Sequence, residues 1–148
     1  VTSLTVEQIR DIYGGEIRNW ADVGGRNRAI NPITRLEGSG SQTMMEAFMG
    51  EREIAPKSPF SLVGGSIGFS FRYYMAGMVE NSAVKMLSLN GVYPDTESIR
   101  SGAYPVVAEF YAIYRADNDN ENIPILIDWL LSPEGQRLIG ESGYVPIH

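Results

Sequence analysis

Between Ile30 and Phe48 lies a short run of residues with the means to hold a charged ligand: Arg35, Glu37, Ser39 and Ser41, spaced by Gly38 and Gly40. A guanidinium is a planar fork matched to carboxylate or phosphate oxygens, and the two hydroxyls are further donors. Glycines at 38 and 40 let backbone come close to a guest. The spacing of Met44, Met45 and Phe48 predicts a helix from about Ser41 to Met49. Its first N–H groups have no intrahelical partner, and its macrodipole places positive charge there, so an oxyanion suits that end. Glu37 is the odd member. A carboxylate repels an anion unless it orients Arg35 or accepts a proton that the anion carries, and the second case favours HPO4 or H2PO4 over fully ionised sulfate. A serine and glycine loop before a helix also serves as a plain N-cap, and Arg35 at the end of the preceding strand is what favours the ligand reading.

Other chemistries find little support. The chain has no cysteine, which excludes thiol catalysis, disulfides and cysteine metal sites and leaves the redox compartment open. Its single histidine is His148, at the very end, and no Walker lysine or nucleophile elbow follows the glycines. Asp117, Asp119 and Glu121 have the opening spacing of a calcium loop without its glycine and closing glutamate, and read as a solvated turn. No catalytic residue, metal ligand or cofactor is therefore expected. A net charge of −6 and a pI near 4.8 argue against a nucleic-acid surface, so an anion must be held by local donors.

The elements that position this run follow from pattern. With 148 residues, 43% hydrophobic and 20% charged, the chain has the size and composition of one soluble domain with a real core. No apolar stretch is long enough to cross a membrane. Residues Leu4 to Gly15 read as an amphipathic helix with Thr5 as N-cap, Gln8 completing a capping box and Gly14-Gly15 as its stop. A loop anchored by Trp20 leads to the strand that ends at Arg35. Gly50 to Pro59 reads as surface loop. Leu62 to Phe71 reads as a glycine-containing strand followed by a turn or short helix through Met75. Val84 to Leu89 is a strand closed by the turn pair Asn90-Gly91. A short helix, Asp95 to Arg100, precedes a strongly β-prone segment, Phe110 to Arg115. Two helices then run from Ile123 to Gly140, the second with Ser132 as N-cap and Pro133 at its first position. Phe69, Phe71, Tyr73 and Tyr74 read as core or rim packing in preference to a ligand wall, and Met44 and Met45 as core. Together these elements predict an α/β domain with helices flanking a mixed sheet.

Several stretches resemble the phosphate-binding protein family of phosphate ABC transporters, a branch of the periplasmic substrate-binding proteins. Leu4 to Gly15 with Asn19-Trp20 and Val23-Gly24-Gly25 is similar to that family's helix and Asn-Trp loop. Arg35 to Ser41 is similar to its phosphate loop. Ser66 to Phe69, Leu87 to Val92, Leu131 to Gln136 and Gly143 to Pro146 also match, in the family's order. Ser41 stands where a threonine is more usual, and Gln42 where many members have a basic residue.

The resemblance implies that Arg35 pairs with the oxyanion, that Ser39, Gly40 and Ser41 donate hydroxyl and backbone bonds, and that Glu37 holds Arg35 or accepts a ligand proton. It implies a substrate-binding component that serves the membrane permease of an ABC importer, extracytoplasmic in a bacterium, either periplasmic or lipid-anchored. Family members have two lobes. Residues 1–109 are similar to the second lobe, and residues 110–148 to a return crossing strand and C-terminal helices that join the first. Because the chain starts at Val1 without methionine, it is expected to be a piece of a longer protein, with about half of the binding site and a tendency to self-associate. A sensory or adhesion module of the same fold is the alternative function; a phosphoryl-handling enzyme is less favoured.

Overall fold

A computed structural model of the chain describes residues 1–55, 65–79 and 84–147. His148, Pro56 to Pro59 of the expected surface loop and Leu62 to Gly64 of the expected strand lie outside the described residues.

The chain opens with β1 (Ser3–Leu4) and α1 (Val6–Gly14). The capping box forms: the Thr5 hydroxyl accepts the Gln8 N–H at 3.0 Å, and the Gln8 side chain accepts the Thr5 N–H at 2.9 Å. Leu4 is thus a strand residue, outside the helix expected to include it. A short 3-10 helix, Trp20–Val23, precedes β2 (Ile30–Pro32), and α2 (Gly40–Met49) follows with Ser39 as its N-cap. Then come β3 (Gly65–Ile67), α3 (Arg72–Val79), β4 (Ser88–Leu89) and α4 (Thr96–Arg100). The chain closes with α5 (Asn122–Leu131) and α6 (Pro133–Glu141).

The strands pair in parallel, β1 with β4 and β2 with β3, with Ile30 opposite Gly65 and Pro32 opposite Ile67. Antiparallel contacts are isolated bridges, Asn19 to Ala29 and Leu89 to Val92. The second of these closes the Asn90-Gly91 turn, where both residues have positive φ as a tight hairpin turn requires. Trp20 anchors its loop as expected, donating from Nε1 to the Gly65 carbonyl at 3.1 Å. A Cβ at Gly65 would come within 2.8 Å of that nitrogen, so only glycine admits the indole.

The α/β architecture surrounds one buried apolar core: Leu4, Ile9, Ile12, Tyr13, Ile30, Met45, Met49, Ile67 and Leu89. Burying one such side chain is worth about 1.5–3 kcal/mol. Every member lies between positions 4 and 89, so helices α1 and α2 and the four strands carry the core, with Tyr104 and Val106 packed against it.

Beyond that core the chain departs from the sequence pattern. The strand expected over Phe110 to Arg115 does not form; the segment is irregular, with Ile113 91% exposed. β propensity reports how well a side chain fits a pleated, half-buried surface, and an extended segment without a neighbouring strand offers none. Helix α5 shows the same thing. It is strongly apolar yet has no buried residue, and Ile125, Leu126 and Leu131 are exposed. Two other strands are shorter than expected: β2 stops at Pro32, short of Arg35, and β4 covers only the last two residues of its predicted span.

Candidate functional site

The loop from Ile33 to Gln42 is built outward from the end of β2. Just past that strand, the Ile33 N–H donates to the Ile67 carbonyl at 2.8 Å. The Ile33 carbonyl accepts from the Tyr13 hydroxyl at 3.2 Å, and the same hydroxyl lies 3.3 Å from the Ile67 carbonyl oxygen. Tyr13 is almost wholly buried, and burial pushes its phenol well above the ordinary value, so it acts as a neutral donor.

Next comes a turn, in which the Ser39 N–H donates to the Leu36 carbonyl at 3.1 Å and Gly38 has φ 76°. Nothing lies within 4 Å of a Cβ placed on Gly38, so the left-handed backbone, not space, requires glycine there. Ser39 then caps α2. Its Oγ accepts the Gln42 N–H at 3.3 Å and its carbonyl accepts the Thr43 N–H at 2.9 Å. The N–H groups of Gly40 and Ser41 meet no acceptor among the described residues. The first turn of α2 holds no acidic residue. The helix dipole thus adds to two amides without an acceptor among the described residues, next to the Ser39 hydroxyl, which meets none among them either.

Arg35 and Glu37 stand on the solvent side of this loop, both exposed. Among the described residues neither side chain has an ion-pair or hydrogen-bond partner, so the expected contact between them is not formed. Ser39, Gly40 and Ser41 are thus brought together at one helix end, while Arg35 and Glu37 flank it.

Gln42, which stands out in the sequence only for its place where many family members have a basic residue, makes a bond to the loop that the sequence did not predict. It is only 8% exposed, and its Oε1 accepts the Arg35 N–H at 3.1 Å. A signal was present: Ser39 and Gln42 have capping-box spacing, in which the later side chain reaches back to the cap N–H. That N–H is already bound to Leu36, so the Gln42 amide passes it and accepts from the Arg35 N–H instead.

The aromatic residues divide. Phe69 packs edge-on against Tyr13 with ring centroids 5.6 Å apart. Phe71 borders the start of α2, 3.8 Å from where a Cβ on Gly40 would be, and contacts Phe110. Tyr73 stacks on Tyr144. Behind α2, a cavity of about 410 Å³ is lined by Gln42, Glu46, Met49, Arg52 and Glu53, among others. Its two carboxylates and an Arg52 already paired with Glu7 and Asp11 make it a poor seat for an anion. Asp117, from the calcium-like run, is paired with Arg115 at 2.6 Å.

A family model described as a PBP superfamily domain matches residues 1–134. The phosphate-binding protein PstS of Borreliella burgdorferi is 30% identical over 99% of this chain, which spans 59% of that relative. Among solved structures, PstS from Borrelia burgdorferi superposes with a TM-score of 0.72 at 28% identity, covering 100% of this chain and 65% of the other. A Clostridium perfringens protein assigned as a phosphate ABC transporter substrate-binding protein, solved with bound phosphate, gives a TM-score of 0.71 at 26% identity, with 100% and 64% covered. The chain therefore spans roughly three fifths of the relatives it matches, and aligns over its whole length.

Proposed function

The chain belongs to the PBP superfamily, and from that membership we propose that it binds inorganic phosphate, or a similar tetrahedral oxyanion, as part of the substrate-binding component of an ABC importer. The observation that carries this reading is the amino end of α2, where the Gly40 and Ser41 amides and the Ser39 hydroxyl have no acceptor among the described residues and the Arg35 guanidinium on the same loop has no partner among them. A similar protein solved with bound phosphate supports the choice of ligand. Glu37 is the acceptor for a proton on the anion. The process is binding without bond-making, so no residue is assigned a catalytic role.

The chain carries about half of the site. Residues 1–109 form one lobe, and residues 110–148 provide a crossing segment and C-terminal helices that join a lobe lying elsewhere in the polypeptide. Three facts support this division: the core ends at Leu89, α5 buries none of its apolar residues, and the chain spans only part of its relatives. The missing lobe covers the exposed side chains of residues 110–114 and α5. In its absence copies of the chain associate through that surface. The protein works outside the cytoplasmic membrane of a bacterium, in the periplasm or on a lipid anchor, and delivers its ligand to a membrane permease.

Calorimetry of the full-length protein with phosphate, sulfate, molybdate and a phosphonate tests the function. Phosphate is expected to bind most tightly, and this chain alone at least roughly a hundredfold more weakly, because a half-clamp leaves the anion in water. Equal affinity for all four anions would overturn the phosphate assignment. Equally tight binding by the chain alone would overturn the half-site.

A further inference from the structure

We propose that Gln42 is a positioning residue that fixes Arg35 relative to the free amides of α2. This inference rests on the oxyanion reading above and names the part of the site that sets its geometry. The N–H and both side-chain polar atoms of Gln42 are bonded, two back toward the loop and one forward along the helix. Its N–H binds the Ser39 hydroxyl oxygen at 3.3 Å, its Oε1 accepts the Arg35 N–H at 3.1 Å, and its Nε2 donates to Glu46 Oε1 at 3.1 Å. The residue thus ties together the start of the loop, the cap and the second turn of the helix.

The acceptor is hard to replace. Among the described residues, Gln42 Oε1 is the one acceptor that the Arg35 N–H meets. Without Oε1, the bonds left within the segment from Arg35 to Gln42 are the turn at Leu36 to Ser39 and the Ser39 cap on the Gln42 N–H, and neither holds Arg35 itself. Arg35 could then swing away from Gly40 and Ser41. An anion held by both a guanidinium and helix amides needs those donors at a set separation, and ordering a slack loop at the moment of binding lowers affinity. Upstream, the Tyr13 hydroxyl already holds the Ile33 carbonyl at 3.2 Å. Residues 33–35 are therefore pinned at both ends, which leaves the Arg35 side chain as the moving part.

Glu46 completes the device. Because its carboxylate can only accept, it selects the amide orientation that turns Nε2 toward itself and Oε1 toward Arg35; the opposite orientation would set donor against donor. A basic residue at this position would add positive charge beside the anion but provide no acceptor for the Arg35 N–H. The two effects oppose each other, and that opposition separates a positioning role from simple charge.

The test uses the full-length protein with Gln42→Met, Gln42→Lys and the double variant Gln42→Glu with Glu46→Gln. In ligand-free protein, hydrogen exchange at the Arg35 amide is expected to speed up about tenfold in the Met and Lys variants, the size of one net hydrogen bond, and to stay near wild type when Gln42→Glu is combined with Glu46→Gln, which reverses the pair and keeps an acceptor for Arg35. Phosphate affinity is expected to fall about tenfold in both the Met and the Lys variant, with Tm within about 4 °C of wild type. Unchanged Arg35 exchange in the Met variant would overturn the inference. So would faster exchange with unchanged phosphate affinity, or tighter binding by the Lys variant. A wild-type protein that ignores phosphate would instead sink the oxyanion reading, while the exchange data would still decide whether Gln42 holds Arg35.

Discussion

Tyr73 and Tyr144 stack with ring centroids 4.4 Å apart and planes 19° from parallel. Phe110 meets the same Tyr144 ring edge-on at 4.8 Å. Beside them the Arg72 guanidinium donates to the Gly143 carbonyl at 3.4 Å and to the Pro94 carbonyl at 3.1 Å. This patch fastens the turn after α6 to the lobe that holds the core. Aromatic pairs are worth about 0.5–1.5 kcal/mol each beyond area burial, so Tyr144→Ala is expected to cost about 1–3 kcal/mol of attachment. Amide exchange in α6 should then accelerate from several-fold to about a hundredfold, while α1 amides keep their rates and Tyr144→Phe, which keeps both ring contacts and loses only the hydroxyl bond to Tyr73, shows a smaller acceleration. Equal acceleration in α1 would show that the ring supports the whole fold instead.

Arg35 is the exposed cation beside the open end of α2, and its side chain has no partner among the described residues. Its removal should therefore leave stability almost untouched and act on binding. Arg35→Ala in the full-length protein is expected to weaken phosphate binding by at least about a hundredfold, since charge-assisted bidentate bonds are the strong ones. Calorimetry measures the first effect and thermal melting the second; an unchanged Kd would remove Arg35 from the site.

Asp95 caps α4 through its Oδ1, which accepts the Ser98 N–H at 2.8 Å. That backbone bond, more than any other influence, holds its carboxyl below the ordinary value of 3.8, with Arg72 adding to the effect. The sign follows from the depression. The capping contribution is fully present above pH 3.8 and is lost as pH falls through the lower folded value. Denaturation midpoints across acid pH should show this loss in the wild type and a shallower slope in Asp95→Asn, which keeps an oxygen acceptor but no titrating carboxylate. Identical slopes would assign acid sensitivity to other carboxylates.

The uncovered surface of residues 110–114 and α5 makes a further prediction. Tyr111 is 74% exposed and Ile125 64% exposed, and exposed apolar surface beyond single scattered residues marks interfaces. The isolated chain is expected to show concentration-dependent association in sedimentation velocity. Ile113→Glu combined with Ile125→Glu should weaken it at least about tenfold, given that one buried aliphatic side chain is worth about 1.5–3 kcal/mol. A monomer at every concentration would reject this surface as an interface.

What could be read from sequence was mostly what local chemistry decides. The Thr5 and Gln8 capping box, the Asn90-Gly91 turn and the Ser132-Pro133 helix start each depend on a few adjacent residues, and each formed. The Ser39 cap was legible for the same reason. Phe110 to Arg115 misled because its composition describes a strand while a strand needs a neighbour, and none of the described residues provides one. Gln42 was hidden for a different reason. A buried amide looks like any polar surface residue in the helical pattern, and its partner, the Arg35 N–H, is set by how the loop folds back on α2.

The pairing of β1 with β4 sets Ser3 opposite Ser88, 85 positions along the chain. During synthesis Leu4 therefore waits for Leu89 to leave the ribosome before it can complete its place in the core. At about 5–20 residues per second that wait is several seconds, and throughout it the first strand has an open edge and an apolar residue in search of cover. Closing so long a loop also delays the parallel pairing, because its entropy is lost before the contact rewards it. Until residue 89 has emerged, the nascent chain therefore keeps Leu4 uncovered and the edge of β1 unpaired.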